Sequence, residues 1–349
     1  MPPTIDDRLR ELAEATHNQL DPSPDLLRRI RASTGGHPRF HARAAGLLGA
    51  AAAAAVLVVA LVVAQSGGHH QAERATSSVG PQPSNGLPQL YWRDPTGIGS
   101  ANLDGTNVVP QLIPFTSSGS VPDPCSVAVD ANHVYWATGT GTVARANRDG
   151  TGLDTSLVTA PAAVDCVAVD SAHIYWASTR LGTIGRANLD GTGVQDLVAS
   201  GINQVCGVAV DASHIYWANP TRGAIGRANL DGTGVSGNFI TGVHISQPPG
   251  GSPVCGLVVD SAHIYWGTTD GIGRANLDGT GVNNGFIGGQ DLLGSYVVVC
   301  GHDDTYLYWT SVVIGPYNAW IGRAKLSGGG VNADFIPGLR NVSGCAVGP

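Results

Sequence analysis

Glutamate is almost missing from this chain, since none of its 349 residues after Glu73 is a glutamate. Lysine occurs once, at Lys325, charged residues make up 13% of the chain, and there are five phenylalanines. An acid/base pair beyond Glu73 must therefore be built from aspartates, which argues against a hydrolase or a lyase. The sequence also has no HExxH motif, no serine in a nucleophile elbow and no glycine-rich phosphate loop between a strand and a helix.

A basic surface is lacking as well. The net charge of -7 argues against a nucleic-acid partner, because such binding depends on a basic face that neutralises phosphates. The 49 glycines indicate many tight turns, and no cofactor motif is present. The preference for arginine over lysine, together with the abundance of alanine, indicates a high-GC bacterial gene.

Residues 44–64 form an apolar run without a charge, which is long enough to cross a bilayer as a helix. Five arginines precede it between Arg28 and Arg43, and they predict a cytoplasmic N-terminus. The expected location is the bacterial cytoplasmic membrane, crossed once, with everything after the helix outside. A cleaved signal peptide is the alternative, with Val62 and Ala64 as small residues at the cleavage site.

Two short amphipathic helices are predicted in the basic cytosolic segment 1–43, one from Thr4 and one from Ser23. This segment either lies on anionic lipid or docks a cytosolic protein. Residues 65–88 are rich in Gly, Ser and Pro and are predicted to be a flexible linker. Residues 89–349 then form the extracytoplasmic domain.

Six Tyr-Trp pairs recur in residues 89–349, with steps of 44, 40, 41, 49 and 43 residues between them. Four strand-like runs accompany each pair, and an Asp-Gly turn joins the last two in most units. This period predicts an all-β six-bladed propeller. The first unit lacks an inner strand and the chain ends on a spare one at 342–347, which predicts closure by one C-terminal and three N-terminal strands. The pairs begin at Tyr91, Tyr135, Tyr175, Tyr216, Tyr265 and Tyr308.

The unit YWxxxxxGxIGRANLDGTG resembles the YWTD repeat of the low-density-lipoprotein-receptor class B propellers, and the resemblance covers residues 90–349. It implies the propeller architecture. Only the first unit keeps an acid after the Tyr-Trp pair, at Asp94, and no EGF-like module flanks the repeats. The resemblance therefore implies no receptor ligand, because propellers carry many functions.

Some polar residues recur once per blade, and we interpret them as structural partners within the blade. The arginines are Arg145, Arg186, Arg227, Arg274 and Arg323. The aspartates that end inner strands are Asp130, Asp170, Asp211 and Asp260. The histidines are His133, His173, His214 and His263, and we expect them to lie too far apart to share a metal. No metal site is predicted.

One cysteine falls at the inner strand of each blade: Cys125, Cys166, Cys206, Cys255, Cys300 and Cys345. An even number in an exported domain indicates disulfides, with buried thiols or a metal as alternatives. Cys166 lies four residues before its closing aspartate whereas Cys206 lies five before, so we expect their side chains to face opposite sides. The pairs proposed are Cys125–Cys166, Cys206–Cys255 and Cys300–Cys345.

Blades differ most in the loops that lead from each outer strand to the next inner strand, and these loops share one face with short connections inside the blades. The predicted ligand-binding residues there are Arg93, Arg180, Arg222, His244, Asp270, Tyr317 and Trp320. Aromatics among arginines suit a glycan or a protein surface. The expected function is therefore a membrane-tethered extracytoplasmic binding module, and no catalytic residue is assigned.

Two other functions stay open. A propeller enzyme, lactonase-like or lyase-like, would place its site at the channel mouth, where His302, Asp303 and Asp304 form the local cluster of that kind. A transmembrane regulator would use residues 1–43 to dock a cytosolic partner.

Overall fold

The computed structural model describes residues 88–115, 126–139, 141–161, 163–179, 181–198, 202, 205–245, 256–269, 271–288, 292, 296–312 and 319–348. These residues form 24 β-strands in six antiparallel four-stranded sheets, with one short 3-10 helix at Pro220–Arg222. The prediction of an all-β six-bladed propeller is confirmed. The predicted segments 1–43 and 44–64 lie outside the described residues, as does the predicted linker 65–88 except for its last residue.

Each blade runs from an inner strand at the central channel to an outer strand at the rim. The inner strands of blades 1 to 6 are β24 (Gly344–Gly348), β4 (Val127–Val129), β8 (Cys166–Val169), β12 (Cys206–Val210), β16 (Leu257–Val259) and β20 (Tyr296–His302). The second strands are β1 (Gln89–Asp94), β5 (His133–Ala137), β9 (His173–Ser178), β13 (His214–Asn219), β17 (His263–Thr268) and β21 (Tyr306–Val312).

The third and fourth strands follow in the same order. The third strands are β2 (Gly97–Asn102), β6 (Thr142–Asn147), β10 (Thr183–Asn188), β14 (Ala224–Asn229), β18 (Gly271–Asn276) and β22 (Ala319–Lys325). The outer strands are β3 (Val109–Pro114), β7 (Asp154–Thr159), β11 (Gln195–Val198), β15 (Ser236–Thr241), β19 (Asn283–Gly288) and β23 (Asn332–Leu339).

Blade 1 closes the ring as predicted. Its inner strand β24 comes from the C-terminus and pairs antiparallel with β1, so that Tyr91 faces Ala346 and Trp92 faces Cys345. Pairing the two ends of the domain in one sheet removes the exposed strand edge that an open array would leave. The ring is held by backbone hydrogen bonds between residues that are about 250 positions apart in sequence.

The Tyr-Trp pair supplies the cores on both sides of each blade. Successive strand residues point to opposite faces of a sheet, so Tyr and Trp pack against different neighbours. Tyr175 of blade 3 shares a core with Trp217 of blade 4, and Tyr308 of blade 6 shares one with Trp92 of blade 1. Each such ring covers about 150–250 Å², which stabilises by roughly 4–6 kcal/mol at about 25 cal/mol per Å².

A glycine beneath the tryptophan explains the IGR triplet of the repeat. A Cβ atom on Gly226 would lie 2.2 Å from Cε2 of Trp217, and one on Gly185 would lie 2.2 Å from Cε2 of Trp176. The indole ring thus lies directly on the neighbouring strand. Only a residue without a side chain permits this approach.

Candidate functional site

The propeller has two faces, which differ in how much they vary between blades. The turn face carries the connections from first to second strands and from third to fourth strands. The loop face carries the connections from second to third strands and from each outer strand to the next inner strand. The contacts of the polar repeat residues decide which side chains remain for a ligand.

The repeated aspartates of the turn face accept hydrogen bonds from backbone and side-chain groups of their own blade. Asp170 Oδ1 accepts the backbone N–H groups of Ala172 at 2.7 Å and His173 at 2.6 Å, and Oδ2 accepts the Tyr175 hydroxyl at 2.9 Å. Burial and the hydrogen bond to Asp170 both raise the pKa of Tyr175. The same Asp–Tyr hydrogen bond recurs at Asp130, Asp211, Asp260 and Asp303. The interpretation of these aspartates as structural is confirmed.

The repeated arginines tie each blade to the next. Arg186 of blade 3 donates from Nη1 to the carbonyl oxygen of Leu230 in blade 4 at 2.9 Å. Arg323 of blade 6 donates in the same way to Leu103 of blade 1 at 2.7 Å, which adds a contact at the closure. The guanidinium carbon of Arg323 also lies 3.8 Å from the ring centroid of Phe335. These contacts confirm the structural interpretation of the arginines.

Blade 1 has Ser100 where the other blades have an arginine, and Arg148 of blade 2 supplies a guanidinium next to the tyrosine of blade 1 instead. Tyr91 donates to Gln89 Oε1 at 2.6 Å and lies 3.3 Å from the carbonyl oxygen of Arg148. The Arg148 side chain donates from Nε to the Tyr91 hydroxyl at 3.2 Å. Arg148 occupies a position that is leucine in the other blades, so this residue was identifiable from the sequence but was missed.

The repeated histidines, and His302 and Asp303 of the predicted channel-mouth cluster, also make contacts within the fold. His173 Nδ1 lies 3.6 Å from Asp170 Oδ1, and the equivalent histidines are placed alike. Asp303 is the turn aspartate of blade 6, with Thr305 and Tyr306 donating to it. His302 lies between the carbonyl oxygens of Val259 and Asp303, at 3.1 Å from each. No group of three metal-ligating side chains occurs among the described residues.

The central channel encloses about 210 Å³. Most of its lining residues have apolar side chains, but polar atoms form the larger part of its exposed wall. Each of the six inner strands contributes at least one valine to its wall: Val129, Val169, Val210, Val259, Val299 and Val347. Ser126 and His302 supply the hydrogen-bonding side chains among the described residues that line it. The Ser126 hydroxyl accepts the backbone N–H of Val167 at 2.6 Å and so bridges blades 2 and 3.

The expected opposite orientation of Cys166 and Cys206 is wrong. Cys166 pairs with Ala177 and Cys206 with Ala218, and both alanines directly follow the tryptophan of their strand. A bulge at Gly207, whose φ is +65°, absorbs the extra residue of β12 and keeps the two cysteines equivalent. Cys166 is buried, and its Sγ accepts the backbone N–H of Gly207 at 3.3 Å.

A disulfide joins Cys300 of β20 to Cys345 of β24, with Cα atoms 4.9 Å apart. The bond links blade 6 to the closing strand of blade 1. Cys300 lies at a bulge between Val299 and Gly301, and this irregularity breaks the symmetry that otherwise separates equivalent inner-strand positions. Cys206 is also disulfide-bonded. Cys166 carries a buried thiol, so the predicted Cys125–Cys166 disulfide is wrong. Cys125 and Cys255 lie outside the described residues.

The predicted loop-face residues differ in accessibility. Arg93 is 4% exposed, and its guanidinium carbon lies 5.4 Å from the Phe115 ring centroid, so it packs inside the loop face. Trp320 is half-buried at the start of β22, where it faces Ser311. Arg180, Asp270 and Tyr317 lie outside the described residues.

Arg222 and His244 are both exposed, and the structure brings their backbones together. Arg222 ends the 3-10 helix, and Gly223 after it accepts the backbone N–H of Val243 at 3.1 Å. The sequence gives no sign of this contact, because the two residues are 22 positions apart.

Asn284 of blade 5 fixes the same contact between the loops that carry Arg222 and His244, which we call the corner between blades 4 and 5. The sequence did not predict this role of Asn284. Its Oδ1 accepts the backbone N–H of His244 at 2.8 Å, and its Nδ2 donates to the carbonyl oxygen of Gly242 at 2.8 Å. The matching position in blade 4 is Gly237, which cannot make these bonds. The only available signal was this difference between two blades.

Exposed large apolar residues lie in two places among the described residues. Leu181, which is 51% exposed, lies in the loop-face connection between β9 and β10, and the other five repeat at one position of the turn face. Val108, Leu153, Val194, Val235 and Val282 are 39–50% exposed, and each directly precedes an outer strand at the turn face. Because the position repeats in every blade and half of each side chain is covered, we attribute it to the blade and not to a ligand site. None of the described residues forms a helix of the length and apolarity that a bilayer crossing requires.

No family model matches the chain, and no curated protein matches it. A chain in the crystal structure of the nidogen/laminin complex is similar, with 18% identity and a TM-score of 0.57 over 74% of this chain and 98% of that chain. A streptogramin B lyase structure has 18% identity and a TM-score of 0.45 over 62% of this chain and 70% of that one. Virginiamycin B lyase from Staphylococcus aureus has 18% identity and a TM-score of 0.42, over 62% and 71%. The first similarity supports the propeller fold.

Proposed function

We propose that this chain is a membrane-tethered extracytoplasmic binding module that recognises a protein or a glycan through its loop face. The main support is that the two faces differ in how their polar side chains are used. The repeated Asp, Arg and Tyr side chains of the turn face are engaged in contacts within or between blades. Exposed polar side chains that differ between blades, such as Arg222 and His244, lie on loop-face connections. Recognition residues are commonly placed on loops above a rigid scaffold.

The disulfide supports the proposed extracytoplasmic location of the domain. The Cys300–Cys345 disulfide is of the kind that persists in oxidising compartments. The apolar run at 44–64 and the arginines before it supply the anchor and its orientation. Protease treatment of intact cells that express the full chain tests this. A C-terminal tag should be lost without lysis, and a tag that survives until the cells are broken would contradict the exported orientation.

A propeller of the same architecture occurs in the nidogen/laminin complex, which is an assembly between proteins. This agrees with a binding role and does not identify a partner.

A binding screen with the full chain in detergent tests the loop-face assignment. Glycans, cell-wall fragments and proteins are offered to wild type, to Trp320→Ala on the loop face and to Leu153→Ala on the turn face. Both substitutions remove an accessible apolar side chain, so they are matched controls. We expect Trp320→Ala to weaken the bound signal and Leu153→Ala to leave it unchanged. Absence of any bound ligand, or the reverse pattern, would contradict the proposal.

A further inference from the structure

We infer that the corner between blades 4 and 5, built from Arg222, His244 and Asn284, is a binding site for the carboxylate of an acidic glycan. The inference rests on the proposed function and adds the chemistry of the ligand. Three observations on the described residues support it: a fixed backbone, an exposed arginine whose own segment has one acid, and polar exposed side chains.

The backbone of the corner is fixed from three directions. Asn219 Oδ1 accepts the backbone N–H of Arg222 at 3.1 Å and orders the 3-10 turn. The Gly223–Val243 hydrogen bond joins that turn to the segment after β15 that carries His244. Asn284 then holds this segment by two hydrogen bonds from the neighbouring blade. A fixed base lowers the entropy cost of binding, because the backbone needs no further ordering.

The charge of the corner is not neutralised by its own segment. Between Asp211 and Asp260 the sequence contains one acid, Asp231, which lies on a hairpin at the turn face. Its Oδ1 accepts the Thr233 backbone N–H and hydroxyl. Arg227, the other arginine of blade 4, lies 3.8 Å above the Phe239 ring, whereas Arg222 is exposed at the surface. An exposed guanidinium whose own segment has its one acid on the turn face suits a carboxylate, which it can bind through two parallel hydrogen bonds.

The exposed side chains of the described residues around the corner are polar, which favours a glycan over a peptide. The exposed residues on both sides of the contact are Thr221, Arg222, Thr241, Gly242 and His244, while Val243 and Ile240 are buried. Peptide recognition usually depends on apolar anchors in pockets, and no exposed apolar side chain occurs among these residues. Hydroxyl, imidazole and guanidinium groups match the hydroxyls and the carboxylate of a uronic acid.

Calorimetry with the full chain in detergent at low ionic strength tests the inference. The probe is oligogalacturonate, and its methyl-esterified form is the matched ligand without the charge. Arg222→Gln should weaken oligogalacturonate binding by about tenfold or more, since it removes the charge-assisted hydrogen bonds from the guanidinium to the carboxylate. Arg340→Gln removes the same charge at another exposed site and should change the affinity by less than about threefold.

His244→Gln is a second variant that keeps a polar side chain, and we expect an intermediate loss. Equal affinity for the acid and its methyl ester would overturn the inference, as would equal losses in Arg222→Gln and Arg340→Gln. Binding of a peptide with a free C-terminal carboxylate, without binding of the glycan, would also overturn it. A Trp320-dependent neutral or protein ligand found in the screen would leave the proposed function standing while this inference fails.

Discussion

The disulfide between Cys300 and Cys345 should be a major source of stability, because it locks the closing strand to the last blade. The two residues are 45 positions apart, and cross-linking a loop of that length removes about 4 kcal/mol of chain entropy from the unfolded state. The double variant Cys300→Ala/Cys345→Ala should lose an amount of this order from its free energy of unfolding. Substitution is preferable to a reductant, which would also cleave the disulfide at Cys206.

Urea unfolding of the full chain, followed by tryptophan fluorescence, measures this loss. Six of the seven tryptophans belong to the Tyr-Trp pairs that fill the cores between blades, so the signal reports the whole ring. Cys166→Ala is the control, since it removes a buried sulfur from an inner strand without opening the closure. We expect the control to lose about 1–2 kcal/mol. Equal losses in the control and the double variant would refute the closure argument.

Two further predictions concern the repeat itself. Gly226→Ala should destabilise the fold by about 1–3 kcal/mol, because its Cβ atom would meet the Trp217 ring. Gly237→Ala is the control, since the nearest atom to its Cβ would be Nη1 of Arg222 at 3.7 Å. Thermal unfolding of both variants checks this, and equal melting temperatures would contradict it. Burial of Asp260 raises its pKa, but hydrogen bonds from backbone N–H groups and from Tyr265 outweigh it and lower that pKa. Its stabilisation is therefore complete above the unfolded value of about 3.9 and is lost as the pH falls through the lower folded value. Asp260→Asn should be less stable than wild type at pH 7 and show a weaker loss of stability in acid, and identical acid profiles would contradict this.

The blade pattern was predictable because it depends on local periodicity. The type unit gave strands that the structure places at Cys166–Val169, His173–Ser178, Thr183–Asn188 and Gln195–Val198. The Tyr-Trp spacing predicted the number of blades, and the spare C-terminal strand predicted the closure. Both follow from the alternation of side chains in strands and from the need to pair every inner edge.

Side-chain positions that depend on a bulge or on another blade were not predictable. The one-residue bulge at Gly207 reversed the expected orientation of Cys206 relative to Cys166, since a strand pattern does not show where an extra residue is absorbed. Arg93 was expected at the surface, but Phe115 of the same blade covers it. The Asn284 contact to His244 joins residues 40 positions apart, which no local pattern records.

Hydrogen–deuterium exchange of the full chain, with and without a ligand from the binding screen, tests most directly whether the loop face is the binding surface. Protection is predicted in the loop-face segments 220–224 and 241–245, while the turn-face hairpins at Asp190–Gly193 and Asp231–Gly234 should exchange as they do in the free protein. Protection confined to those hairpins, with none on the loop face, would contradict the account.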